Sequence, residues 1–407
     1  MSPITSAPRL SHSPDSARRA GFVLLSLFLL TVTLLQALPD RWPNRTVEQI
    51  ETCFADHDAA FVLRHLNSDR AIRIGGKRTA MQLSPCSTFK IPHALIGLEC
   101  GILTSADQRF PWDGHSQFVK DWERDHSVRS SMYYSVVPLY KMLATQIGSE
   151  KELSWLTTLD YGNRDISAGL TSFWLGTSLK ISADEQIRFL TNLVSHRLPV
   201  HAPNLEVIEN ITRLERFSDG SYHGKTGSNF RDGKWVLGWW VGWINHGNDQ
   251  YVFAANVRGQ GASGMIARRC AEAALQRLGL LPTTREERLT MSYQAFDQQP
   301  NGWRAVGESG TLDQGCCIEA AKLIEEYLSR HDRNLENWQR RILHFHAGQM
   351  QAFAGEVTAA LSHFRNSYDP IEEDRKAPLR WNAYVRATIA FLQRDAATLE
   401  ACRNAML

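Results

Sequence analysis

Residues 84–99 have the sequence SPCSTFKIPHALIGLE, in which Ser87 and Lys90 stand three positions apart. Pro85 before the pair and the apolar residues after it predict the start of a helix whose far side is buried. On such a helix the two side chains lie on one face, about one turn apart. A serine hydroxyl needs a base to become a nucleophile, and a desolvated lysine is such a base. Alone the motif is weak, because so short a pattern recurs by chance.

Two further fragments add to this motif. Lys225-Thr226-Gly227 follows a turn-rich segment and precedes the run WVLGWWVGW at 235–243, which predicts a buried strand. The other fragment is Tyr134-Ser135-Val136-Val137-Pro138. In this order the fragments resemble the class D (oxacillinase-type) serine β-lactamases of the penicillin-binding-protein and transpeptidase-like superfamily.

The resemblance extends from about Cys53 to Leu281, where ordinary class D enzymes end. Tyr161-Gly162-Asn163 and Phe173-Trp174-Leu175-Gly176 belong to the same set of motifs. The resemblance implies an α+β fold with a five- or six-stranded antiparallel sheet, helices on one face of that sheet and a separate helical lobe. The active site is then expected between the sheet edge strand that bears Lys225 and the lobe that bears Ser135.

The resemblance also implies the chemistry. Ser87 becomes acylated, and Lys90 is the general base in a form that has lost its proton. In the family the corresponding lysine reacts with carbon dioxide or bicarbonate to give a carbamate, and no other cofactor is expected. Val137 and Trp174 match the positions that keep the pocket dry and hold the carbamate, since an indole N–H donates to an anionic oxygen.

The remaining site residues are implied by the same resemblance. Ser135 relays a proton to the departing ring nitrogen with help from Lys225. The backbone N–H groups of Ser87 and Ser228 are the expected oxyanion-hole donors.

For the substrate carboxylate, Arg268 is the expected cation, although the adjacent Arg269 remains an alternative. Thr226 and Gly227 are the expected further substrate contacts. No metal ligand is predicted.

Each residue taken singly has a structural interpretation as well. Ser135 is compatible with a turn or helix-cap serine, and Trp174 with a core tryptophan. Lys225 is compatible with a solvated strand-edge lysine, and Arg268 with an exposed helix residue. The ordered set of motifs favours the catalytic interpretation.

The chain has 407 residues, which predicts more than one domain. Its formal charge of +2 supports no role in nucleic-acid binding. We predict a cytoplasmic lead at 1–20, a signal peptide or membrane anchor at 21–38, a catalytic domain at 45–282, a linker at 283–310 and a helical domain at 311–407.

The N-terminal segment bears on localisation. Arg18 and Arg19 precede the uncharged apolar run at 21–38. Positive charge before such a run predicts that the chain beyond the run is exported, here to the bacterial periplasm. The segment is either retained as an inner-membrane anchor or cleaved as a signal. Twin arginines also raise a twin-arginine export route.

The seven cysteines are an odd number, so they cannot all be paired within one chain. Some members of the resembled family bridge a cysteine near the first strand to one before the nucleophile. Such a bridge would join Cys53 to Cys86 here.

The C-terminal part is helical by its periodicity, with runs near 312–330, 335–354, 356–367, 378–393 and 395–406. The spacing of Gly348, Gly355, Ala360 and Phe364 fits a tetratricopeptide-like helix pair, in which Phe364 plugs the space left by the small residues. Such a domain binds an unknown protein partner or is a small stabilising bundle.

The sequence leaves three functions open. The first is hydrolysis of β-lactam antibiotics, and hence antibiotic resistance. The second is a β-lactam sensor that stays acylated and signals through the helical domain, although no His-Glu-x-x-His protease motif is present. The third is a cell-wall transpeptidase or carboxypeptidase, which Val137 disfavours because those enzymes carry an amide at that position.

Overall fold

The computed structural model describes residues 44–217, 220–299, 301–307, 314–370 and 380–406. The predicted lead at 1–20 and the apolar segment at 21–38 lie outside these residues. Among the helices that are described, none combines the length and apolarity needed to cross a membrane.

A six-stranded antiparallel sheet, in the order β2-β1-β8-β7-β6-β5, forms the centre of the fold. The strand count and the antiparallel topology confirm the prediction. A separate two-stranded ribbon is formed by β3 and β4. The strands are β1 Asp58–His65, β2 Arg70–Ile74, β3 Arg109–Phe110, β4 His126–Ser127, β5 Arg213–Phe217, β6 Gly220–Arg231, β7 Lys234–His246 and β8 Asp249–Arg258.

Helices precede, interrupt and follow the strands of this sheet. They are α1 Asn44–Glu51, α2 Lys90–Glu99, α3 Val128–Tyr133, α4 Val137–Ile147, α5 Ser149–Thr158, α6 Ala183–Val194, α7 Ala202–Thr212 and α8 Gly264–Arg277.

The prediction of an antiparallel sheet flanked by helices is confirmed, and both faces of the sheet are buried. Successive side chains of a strand point to opposite faces. Trp239 joins the main core together with Ile187 of α6, whereas Trp240 contacts Arg268 of α8 on the other face. The tryptophan-rich sequence of β7 therefore serves two helical layers.

The sequence predicts that Lys225 lies on the edge strand of the sheet. This prediction is wrong, because β5, and not β6, is the edge strand. However, β5 is only five residues long and pairs with residues 220–223. Beyond that pairing, no described strand covers β6 on the side away from β7. The backbone at Lys225 is therefore open to the site, as the prediction required.

The segment 283–310, predicted to be a linker, contains three helices within its described residues, 283–299 and 301–307. They are α9 Arg285–Thr290, α10 Tyr293–Gln298 and α11 Arg304–Gly307. Phe296 and Trp303 are buried, and the indole N–H of Trp303 donates to the equally buried Asp297 at 2.9 Å. The sequence of this segment did not indicate the packing, because the segment is mostly polar and its few large apolar side chains are widely spaced.

In the described ranges 314–370 and 380–406, five helices follow, close to the predicted bounds. They are α12 Gln314–His331, α13 Asn337–Phe353, α14 Val357–Asn366, α15 Trp381–Gln393 and α16 Ala396–Met406. Gly348 of α13 lies against the ring of Phe364 on α14, where a Cβ atom would come within 2.9 Å of the ring. Gly355 turns the chain between these helices with a positive φ of 75°. The predicted helix pair and its packing are present, whereas the tetratricopeptide assignment stays a prediction.

Residues Arg45–Leu407 form one compact unit, so the helices after 282 pack together with the sheet. All seven cysteines are free thiols. The Cys53–Cys86 bridge is therefore absent. Cys86 is fully buried and directs its thiol at the Ser84 carbonyl, and burial raises its pKa to about 12.

Candidate active site

Ser87 and Lys90 meet as the sequence predicts. Ser87 lies in a single 3₁₀ turn, Cys86–Phe89, and α2 begins at Lys90. Lys90 Nζ is 3.1 Å from Ser87 Oγ, which is hydrogen-bonding distance. Cys86, directly before the nucleophile, has a positive φ of 51°, an uncommon conformation for a residue with a side chain.

Lys90 is held in a form that suits a base. Its side chain is fully buried, with Nζ 4.9 Å from the centre of the Tyr140 ring. Burial lowers the pKa of Lys90 well below its ordinary value, and the positive charge of Lys225 lowers it further. The lowered pKa favours the neutral amine, which is the form of Lys90 that is able to accept a proton.

Ser135 and Lys225 form a second pair, from segments far apart in the sequence. Lys225 Nζ donates to Ser135 Oγ at 2.9 Å and to the Thr226 carbonyl at 3.0 Å. Burial lowers the pKa of Lys225 to about 7. Ser135 adopts a positive φ of 59° in the turn between α3 and α4. Lys225 is not a solvated edge lysine, since only 3% of it is exposed.

Gly227 brings β6 against the nucleophile turn. A Cβ atom at this position would lie 2.8 Å from the Pro85 carbonyl oxygen and 3.2 Å from the Thr88 amide nitrogen. Only glycine allows this approach. The Lys-Thr-Gly motif therefore needs its glycine for packing, whatever contact it makes with substrate.

Trp174 is fully buried, and its indole N–H has no hydrogen-bond partner among the described residues. A buried donor without a partner is costly, so this one suits an acceptor that the protein itself does not supply. The Tyr-Gly-Asn motif shapes the loop that carries Trp174. Asn163 donates to the Ser178 carbonyl and accepts from the Lys180 amide.

The other predicted residues occupy mixed positions. Val137 is half-buried and begins α4 two residues after Ser135. Thr226 and Ser228 are half-buried on β6, and the Ser228 hydroxyl accepts a hydrogen bond from the Gly264 amide at 2.8 Å. The oxyanion-hole role of Ser87 and Ser228 stays a prediction.

Arg268 is buried rather than exposed, and its guanidinium is already engaged. It stacks over the Trp240 ring at 4.7 Å and donates to Glu272 and Glu319 at 2.7 Å each. Arg269, the alternative, is exposed. Both arginines line the same cavity.

This cavity has a volume of about 500 Å³. It is lined by residues around Lys225 and by residues after position 282, which form the C-terminal extension. The sheet and its neighbouring helices contribute Tyr133, Lys225, Thr226 and Arg268, while the extension contributes Arg285, Lys322, Glu326 and Arg330.

Sequence reasoning missed two groups of residues. One is Glu319 and Arg285, which nothing local marked as site residues because their partners are distant in sequence. The other is the fully buried pair His93 and Glu152, whose side chains are 3.5 Å apart. His93 lies edge-on to Trp174, at 5.3 Å between ring centres. The position of His93, three residues after Lys90 on one helix, is the signal that marks it as a neighbour of the site.

Comparisons with known proteins agree with this geometry. A model of the penicillin-binding-protein transpeptidase domain matches residues 67–276. Probable β-lactamase YbxI of Bacillus subtilis (strain 168) is 36% identical over 238 residues, which cover 58% of this chain and 87% of that protein. The chain belongs to the penicillin-binding-protein transpeptidase superfamily and, within it, to the class D serine β-lactamases.

Solved structures give the same fold. A class D β-lactamase from Bacillus subtilis matches with a TM-score of 0.55 and 36% identity, covering 57% of this chain and 97% of its own. The C-terminal domain of the Bacillus licheniformis BlaR penicillin receptor matches with a TM-score of 0.55 and 30% identity, covering 57% and 96%. These structures are matched almost completely, yet they leave more than two fifths of this chain unmatched.

Proposed function

We propose that this protein hydrolyses β-lactam antibiotics through an acyl intermediate on Ser87. The observation that carries the proposal is the pairing of Ser87 Oγ with the fully buried Lys90 Nζ at 3.1 Å, where burial lowers the pKa of the lysine. The similarity to the Bacillus subtilis protein YbxI supports it, since that protein is a probable β-lactamase.

In the acylation step Ser87 Oγ attacks the lactam carbonyl as its proton passes to the base at Lys90. The carbonyl oxygen gains negative charge, which the backbone N–H groups of Ser87 and Ser228 stabilise. The C–N bond then breaks, and the ring nitrogen takes a proton through Ser135, which is hydrogen-bonded to Lys225. Water attack on the ester, again assisted by the base, releases the product and restores Ser87.

Lys90 and Trp174 also fit a carbamate. An amine that has lost its proton, the form that the lowered pKa of Lys90 favours, reacts with carbon dioxide and releases one proton, and the Trp174 N–H, which has no partner among the described residues, is available to an anionic oxygen. When present, the carbamate supplies a carboxylate-like base for both steps. Val137, half-buried beside Ser135, would help to exclude bulk water.

The test is hydrolysis of a chromogenic cephalosporin by residues 45–407. We expect turnover by the wild-type protein and by the exposed control Ser105→Ala, and none by Ser87→Ala. Hydrolysis that survives Ser87→Ala would refute the assignment of the nucleophile.

A β-lactam sensor is the second candidate function, and the match to the BlaR penicillin receptor favours it. A sensor would be acylated at the same Ser87 but would not turn over. Its signal would pass through the C-terminal helices to an unknown protein partner. Export to the periplasm suits either function, because β-lactams act outside the inner membrane.

A further inference from the structure

The guanidinium expected to bind the substrate carboxylate already holds two carboxylates of the protein. Arg268 Nε donates to Glu272, one turn further along α8, at 2.7 Å. Its Nη2 donates to Glu319 of α12, also at 2.7 Å. Glu272 belongs to the same helix, whereas Glu319 comes from a part of the chain far from it in sequence.

The position of Glu319 beside Arg268 is fixed by burial and by further hydrogen bonds. It is 3% exposed, and it also accepts hydrogen bonds from Arg285 and from the Tyr133 hydroxyl. Burial alone would raise the pKa of Glu319, but Arg268 and Arg285 hold it at about 2. Glu319 is therefore an anion at every physiological pH.

The helix that carries Glu319 also contacts Tyr134, another residue that lines the cavity. Lys322 Nζ lies 4.5 Å from the centre of the Tyr134 ring, next to Ser135. Gln351 of α13 donates to the Tyr134 hydroxyl at 3.1 Å. The extension thus contacts both Tyr134, the residue before Ser135, and Arg268.

Glu319 lies outside the part of the chain that the superfamily model matches. That model ends at residue 276, and α12 begins at Gln314. The position of Glu319 is therefore a property of the extension and not of the shared domain.

We propose that Glu319 is a specificity-determining residue: its carboxylate occupies Arg268 in place of the substrate carboxylate, so a β-lactam that bears a carboxylate must displace it. This inference rests on the proposed β-lactam site. The extension then selects against ligands that gain affinity only through this carboxylate, and it favours those with enough other contacts to move α12.

The expected effect is a gain in affinity when Glu319 loses its charge. Glu319→Gln keeps the shape of the side chain but frees Arg268 from one anion. A hydrogen bond between charged groups changes affinity by about tenfold or more. We therefore expect the dissociation constant for a penicillin carboxylate to fall by about tenfold.

The experiment measures binding without chemistry, in the Ser87→Ala background of residues 45–407. Benzylpenicillin and its methyl ester are titrated by calorimetry into Ser87→Ala alone, with Glu319→Gln added, and with Asp332→Asn added. Asp332→Asn is the matched control, because it removes one negative charge directly after α12 at a residue that pairs with Arg340, and neither Asp332 nor Arg340 lines the cavity. We expect tighter binding of the free acid, and not of the ester, in the Glu319→Gln protein alone.

Three results would overturn the inference: unchanged affinity for the free acid, an equal gain for acid and ester, or no binding of either ligand in any variant. Should Glu319→Gln fail to fold, Glu319→Asp withdraws the charge by one methylene, and the same acid-selective gain is expected at smaller size. Acid-selective binding combined with no acylation of wild-type Ser87 would uphold the role of Glu319 and refute the proposed hydrolysis.

Discussion

Replacing Lys225 by methionine should stabilise the protein near neutral pH while abolishing its activity. Burial lowers the pKa of Lys225 from 10.5 to about 7. One pKa unit corresponds to about 1.4 kcal/mol, so burying this charge costs about 5 kcal/mol at pH 7 and below. The hydrogen bonds to Ser135 and the Thr226 carbonyl offset about 1 kcal/mol each. Lys225→Met should therefore raise the free energy of unfolding by about 3 kcal/mol at pH 7.

The effect of Lys225→Met on stability should depend on pH. Between pH 7 and 10.5 the unfolded state binds more protons at this position than the folded state, so the contribution of Lys225 to the stability of the wild-type protein rises with pH. The advantage of Lys225→Met should consequently shrink with rising pH and vanish by about pH 10.

The assay is urea unfolding followed by tryptophan fluorescence at several pH values from 7 to 10. Lys234→Met, at an exposed position of β7, is the control and should show no such trend. A Lys225→Met protein that is less stable than wild type at pH 7 would refute the reasoning. So would a stability difference that does not depend on pH.

Two further predictions concern the walls of the site. Trp174→Phe removes the buried N–H that has no partner among the described residues. The rate of hydrolysis should therefore fall and become dependent on added bicarbonate. A rate that does not change with added bicarbonate would argue against the role of Trp174. Gly227→Ala places a Cβ atom 2.8 Å from the Pro85 carbonyl oxygen, so β6 must move away from Ser87. We expect kcat/KM to fall at least about tenfold while circular dichroism stays unchanged, since a small misplacement of catalytic groups is costly; wild-type kcat/KM in that variant would contradict the packing argument.

The parts of the site that were predictable from local physics lie within one segment. Ser87 lies in the 3₁₀ turn that leads into α2 and Lys90 is the first residue of α2, so local helical geometry alone brings them together. Ser135 and Lys225 come from a turn and a strand 90 residues apart. No local rule connects them, and the resemblance to a known family was needed to predict that they would meet.

Strand β5 and the ion pair between Arg268 and Glu319 were not predicted from the sequence, for physical reasons. Strand β5, with the sequence RLERF, is short and mostly charged, and it comes directly after α7 without a turn, so it lacks the usual signals of a strand. The ion pair between Arg268 and Glu319 depends on how α12 packs against the sheet. Charged residues of this kind are normally exposed, and only the fold shows that both are buried.

The acyl-enzyme at Ser87 is the central claim, and intact-mass spectrometry of residues 45–407 mixed with benzylpenicillin tests it most directly. We predict a mass increase equal to one penicillin, located on the peptide that contains Ser87, which decays as the hydrolysed product accumulates. An adduct that persists for hours would contradict hydrolysis and indicate a sensor. The absence of both adduct and product would contradict the active-site assignment itself.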